Sequence, residues 1–169
     1  MSSHRFMVER IDVTTERSFE EATLALEQIV PPVDPAVFSR LVEAHASSSE
    51  VAAAVRRAQG ELELMTLAKI SQGSLTSLLG TAKKLNVYLV GNPLIANRMF
   101  ERHRGTGLYA PLRVALYEDP AGVAHFAYDR PSSLLGSFGD AEIDAVASVL
   151  DGKLATLAGR LGAARGGGR

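Results

Sequence analysis

Apolar positions recur along this chain with a period that switches between two and about three and a half, and each switch marks an element. Residues 5–13, RFMVERIDV, alternate, which predicts a strand with Met7, Ile11 and Val13 on one face and Phe6 and Val8 on the other. Ser18-x-x-Glu21 is a capping-box signal. It opens a predicted helix over 18–30 with Phe19, Ala22, Leu26, Ile29 and Val30 as its stripe, ended by Pro31-Pro32. Asp34-Pro35 fits an N-cap with proline in the first turn, starting a helix with Phe38, Leu41, Val42 and His45 on one side. A second capping box, Ser47-x-x-Glu50, starts a third helix that stops at Gly60.

Period two returns at 61–70, ELELMTLAKI, which reads as a strand. The following segment, 71–85, is rich in Ser, Thr and Gly, has no clean period, and reads as a loop holding at most one helical turn. LNVYLV at 85–90 is apolar on both faces, the mark of a buried strand. Asn92 can cap a helix entered through Pro93, with Ile95, Ala96, Met99, Phe100 and His103 on one face and Gly105 as the stop. The last helix, from Asp140 to Leu161, carries Ile143, Ala147, Leu150, Leu154, Leu157 and Leu161 in one continuous stripe that fits a sheet or a second copy of the chain.

Between these two helices lies the best-punctuated hairpin of the sequence. Asp119-Pro120-Ala121-Gly122 matches a type I turn followed by a left-handed glycine, and this turn sets the register. Tyr117 then faces His125, Ala115 faces Ala127 and Arg113 faces Asp129 on one side. Leu116 with Phe126 and Val114 with Tyr128 form the core side. The first side is a floor of two alanines rimmed by Arg113, Tyr117, His125 and Asp129. An Arg can hold a carboxylate, and His and Tyr can move protons, so His125 and Tyr117 are the candidate catalytic residues. Arg113, Tyr117, His125, Asp129 and Asn92 are the candidate ligand contacts. The plainer reading of the same residues is cross-strand pairing on a solvent face.

Composition narrows the chemistry. The 169 residues include no Cys, which excludes thiol catalysis, cysteine zinc sites, iron–sulfur clusters and disulfides. A formal net charge of -1 gives no electrostatic footprint for nucleic acid or an anionic membrane. No apolar run approaches the roughly 18 residues of a membrane span. With no apolar leader in MSSHRFMVERIDV either, the expectation is a soluble cytoplasmic protein. The Gly/Arg-rich tail over 162–169 is expected to be disordered.

No phosphate-loop, dinucleotide or nucleophile-elbow motif occurs, and no histidine on a predicted helix has a second ligand at helical spacing, so neither a cofactor nor a metal is expected. His45 and His103 end apolar helix stripes and read as structural. The Ser-rich segments 71–77 and 132–137 are expected to be mobile loops bordering a pocket.

The order of parts resembles the bacterial and archaeal family known as domain of unknown function 302. The resemblance rests on the N-terminal strand and 18–30 helix, the Gly91-Asn92-Pro93 turn, 109-YAPLRVALYED-119, and the hairpin return into 126-FAYDRP-131 and the final helix. It is strongest over 85–158 and supported at 5–30, and it sets the helical pair at 34–59 apart as an insertion. It implies a compact α+β domain of two layers, with a mixed or antiparallel sheet of about four to six strands, helices on one face, and self-association. It implies no established activity or cofactor, and it singles out Asn92, Pro93, Pro111 and Arg113. Two functions fit. One is a small-molecule-binding domain, or modest acid–base enzyme, holding a small anionic or carbonyl-bearing ligand over the hairpin face, with 34–59 or 71–84 as a lid. The other is a non-catalytic homodimeric interaction module using that face or the final helix stripe.

Overall fold

The computed structural model describes residues 3–80 and 84–162, so the Gly/Arg-rich tail beyond Gly162 lies outside the described residues. Five strands form one antiparallel sheet: β1 (Arg10–Thr15), β2 (Met65–Ile70), β3 (Leu85–Gly91), β4 (Leu112–Glu118) and β5 (Ala124–Asp129), in the spatial order β1-β5-β4-β3-β2. Helices α1 (Phe19–Ile29), α5 (Pro93–Arg102) and α7 (Ala141–Gly162) are packed against one face of it. This is a two-layer α+β fold.

Local chemistry accounts for most element ends. Ser18 and Glu21 form the reciprocal capping box that opens α1. Ser47 and Glu50 do the same for α3 (Ser48–Ala58). Asp34 caps α2 (Pro35–Glu43), and Asp140 caps α7 by accepting from the amides of Glu142 at 2.9 Å and Ile143 at 3.2 Å. At the far end of α7 the Arg17 guanidinium donates to the carbonyls of Arg160 and Leu161, using two acceptors that helix termini leave open.

The final helix stripe is spent inside the molecule. Ile143, Ala147, Leu150, Leu154, Leu157 and Leu161 are all buried, in a core shared with Leu26 of α1 and Tyr88, Val114, Leu116 and Phe126 of the sheet. It is therefore no dimer seam.

Three elements depart from expectation. The first strand begins at Arg10, because its partner β5 ends at Asp129, opposite Arg10, and Pro131 starts a new helix. Met7 is left 92% exposed, and one further bond, from the Arg130 amide to the Glu9 carbonyl at 2.7 Å, closes the pairing. The second strand begins at Met65, since residues 60–64 form a tight turn with Glu63 at φ 54°. The 132–137 segment is ordered as α6 (Pro131–Leu135) and a short 3-10 turn, with Pro131 and Leu135 buried and the Ser132 amide bonded to Asp151.

The 71–85 segment contains a short helix, α4 (Gln72–Ser77). The helical pair 34–59 joins the helical layer through α3, which packs beside α5. In α2 no residue is buried, and His45 takes up a left-handed conformation (φ 49°) just past its end, outside the expected stripe. Among the described residues no helix is long and apolar enough to cross a membrane.

Candidate functional site

Among the described residues no helix packs across the second face of the sheet; only the short α4 (Gln72–Ser77) approaches it. On β3 this shows as a split between Asn86, Tyr88 and Val90, which are buried under the helices, and Leu85, Val87 and Leu89, which are half-buried on the open side. The expectation of a strand buried on both faces therefore holds for one.

The hairpin delivers its side chains to the open face in the expected register. Tyr117 pairs with His125, Ala115 with Ala127, Leu116 with Phe126 and Val114 with Tyr128. The turn that fixes this register is closed by the Asp119 amide on the Val123 carbonyl at 2.9 Å, with Gly122 at φ 84°. Only a residue without a side-chain penalty at positive φ suits that position. The Asp119 carboxylate reinforces the turn by accepting from the amides of Ala121 and Val123 at 2.8 and 2.9 Å.

Strand β1 adds what the hairpin alone lacks. It lies against β5 with Arg10 opposite Asp129, Asp12 opposite Ala127 and Thr14 opposite His125. Asp12 becomes the hub of a polar network. One carboxylate oxygen accepts from the Tyr117 hydroxyl and the other faces His125 Nδ1 at 2.8 Å. His125 Nε2 faces the Asp119 carboxylate at 3.3 Å. The Tyr117 and His125 rings stack with centroids 4.9 Å apart and planes 8° from parallel.

These contacts set the protonation states. The hydrogen bond to Asp12 raises the His125 pKa most, burial opposes it, and the longer contact to Asp119 adds to the rise. The Asp119 carboxyl is held below its usual range, chiefly by the Val123 amide and with help from His125. Tyr117 is pushed up to about 12, first by its hydrogen bond to Asp12 and then by burial. Both side chains are thus already engaged by carboxylates, the imidazole through both ring nitrogens and the phenol through its hydroxyl.

A cavity of about 480 Å³ lies over the alanine floor. Arg10, Asp12, Arg113, Tyr117 and Asp129 rim it, Ala115, Ala127 and Val87 form its base, and Gln72 reaches in from α4. His125 is not among its walls. None of residues 34–59 lines it, so the part of the expected lid that approaches is α4.

The charge pairing within this rim differs from the expected cross-strand bridge. Asp129 stands opposite Arg113, yet its carboxylate binds Arg10 Nε at 2.9 Å. Arg113, exposed on the central strand, has no hydrogen-bond or ion-pair partner among the described residues. Asn92 is brought to a different place altogether. It is 5% exposed, caps α5 by accepting from the Leu94 amide at 2.9 Å, and donates to Gln59 and to the Glu63 carbonyl, each at 2.8 Å.

Arg113, Tyr117, His125 and Asp129 are thus on one face, joined by Arg10, Asp12, Asp119 and Gln72, which sequence reasoning did not assign to the site. Asp12 was within reach of the pattern, since Ile11 and Val13 point inward and the residue between them must point out. Among the described residues no group of three or more His, Asp or Glu side chains is arranged to hold a metal ion.

The profile of domain of unknown function DUF302 matches residues 39–161, about three quarters of the sequence. The chain belongs to the DUF302 family. The match starts inside α2 and so takes in most of the helical pair 34–59, which the resemblance sets apart as an insertion. The crystal structure of an uncharacterized conserved DUF302 protein from Bacillus stearothermophilus superposes with a TM-score of 0.63 at 16% identity, covering 90% of this chain and 97% of that one. At that identity the likeness bears on the DUF302 fold. No curated protein matches the chain.

Proposed function

We propose that this DUF302 domain binds a small anionic molecule on the open face of its sheet, anchored by Arg113 and seated on Ala115 and Ala127, without turning it over. The observation that carries the reading is the uneven pairing of charges around the cavity. Arg10 is neutralised by Asp129, and Asp12 is engaged by His125 and Tyr117, while Arg113 alone of the rim cations has no partner among the described residues. A guanidinium offers two parallel donors that match a carboxylate. His125 and Tyr117 act here as positioning residues that hold Asp12 away from Arg113, so that the cation stays available.

A second reading has its own support. The β2–β3 half of the open face presents Val87, Leu89 and the 48%-exposed Ile70, an apolar surface that a second copy of the chain could cover. Native mass spectrometry of the purified protein separates the two. A monomer carrying a small acidic molecule that is lost on denaturation, and absent from Arg113→Gln, supports the anion site. A dimer without added mass, unchanged by Arg113→Gln and broken by Ile70→Asp, supports the interaction module.

A further inference from the structure

A second depression adjoins the anion cavity. About 360 Å³ in volume, it is walled by Leu89, Leu108, Tyr109 and Leu134, and it shares Arg113 and Asp129 with the cavity over the alanines. Arg113 therefore stands at the junction of a polar basin and a groove that adds the aliphatic walls of Leu89, Leu108 and Leu134. Leu108 is 79% exposed at the groove's rim, a large aliphatic side chain that nothing among the described residues covers. The groove also shares Pro111 and Leu112 with an almost wholly apolar cavity of about 210 Å³ beside α5.

We infer that the anion is a monocarboxylate carrying an aliphatic tail, its head on Arg113 and its chain along Leu89, Leu108 and Leu134. This rests on the anion-binding reading above. The charge inventory favours a single negative charge. One guanidinium is unpaired, while Asp12 and Asp129 flank it and would oppose a doubly charged phosphate. The volume suits a medium chain, because at about 30 Å³ for a water-sized group the groove takes on the order of ten heavy atoms.

The test is calorimetric titration of the full chain with acetate, octanoate and 1-octanol. Each methylene withdrawn from water strengthens binding roughly fourfold, and an open groove withdraws part of the tail, so octanoate is expected to bind at least about tenfold more tightly than acetate. Leu108→Ser, a surface change, should weaken octanoate at least about threefold and leave acetate unaltered. Arg113→Gln should weaken both acids. Octanoate and acetate binding equally, with Leu108→Ser affecting neither, overturns the tail and leaves the anion site standing. Failure of both acids to bind, or 1-octanol binding as tightly as octanoate and indifferent to Arg113→Gln, overturns the anion site itself.

Discussion

Tyr117 and His125 stack face to face across β4 and β5, and both rings are tied to opposite oxygens of the same carboxylate, Asp12. The arrangement favours the charged form of the imidazole. His125 presents each ring nitrogen to a carboxylate oxygen, Asp12 on one side and Asp119 on the other. An ionised carboxylate can only accept, so the ring satisfies both contacts when each nitrogen carries a proton, which favours the charged form and agrees with its raised pKa.

The pH dependence follows with a definite sign. Because the His125 pKa is raised in the folded state, protonated His125 contributes stability that is fully present below its unfolded value near 6.5. That stability is lost as pH rises through the folded value. The depressed Asp119 pKa acts in the other direction, contributing above the unfolded value near 3.8 and losing its contribution as pH falls through the folded one. Wild type should exceed His125→Asn in thermal midpoint most clearly between about pH 4.5 and 6, with the gap closing as the solution turns alkaline. Paired melting curves across pH check this, and a gap that widens above pH 8 would refute it.

Asn92 should prove structural. Asn92→Ala removes the cap of α5 and leaves two short amide bonds, to Gln59 and the Glu63 carbonyl, without a donor. A lost cap costs about 1 kcal/mol and each buried hydrogen bond a similar amount, so the variant should be destabilised by about 2–3 kcal/mol. Urea denaturation measures the loss, while carboxylate affinity of the folded fraction should be unchanged.

Gly60 is held by a close approach. A Cβ there would come within 2.2 Å of the Ile29 carbonyl oxygen and 2.6 Å of the Pro31 ring, backbone and a rigid ring that cannot swing aside. Gly60→Ala should therefore cost about 1–3 kcal/mol by forcing the 60–64 turn away from the end of α1. A melting temperature equal to wild type would show that the two segments are free to separate.

What could be read from the sequence divides along a physical line. Caps, stops and the hairpin register are local, written by Ser18, Asp34, Ser47, Asn92 and the Asp119–Gly122 turn. Each is found where those residues place it. Strand neighbours far apart in the chain are not local. Nothing near Arg113 announces that β1, about a hundred residues earlier, will lie beside β5 and give Asp129 to Arg10. The same long-range pairing brings Asp12 to His125, so that an imidazole that reads as a free base is held between two carboxylates. The covered and open faces of β3 were equally illegible, since Leu85, Val87 and Leu89 are as apolar as a core demands.

Anion binding on the open sheet face, as proposed above, depends on Arg113. Chemical-shift mapping of isotope-labelled protein during titration with sodium propionate tests it most directly. Saturable shifts confined to Arg113, Ala115, Ala127 and Gln72 are expected, and they should disappear in Arg113→Gln, which should stay within about 0.5 kcal/mol of wild type as an exposed substitution does. Propionate shifts that leave these residues untouched, or that persist in Arg113→Gln, would contradict it.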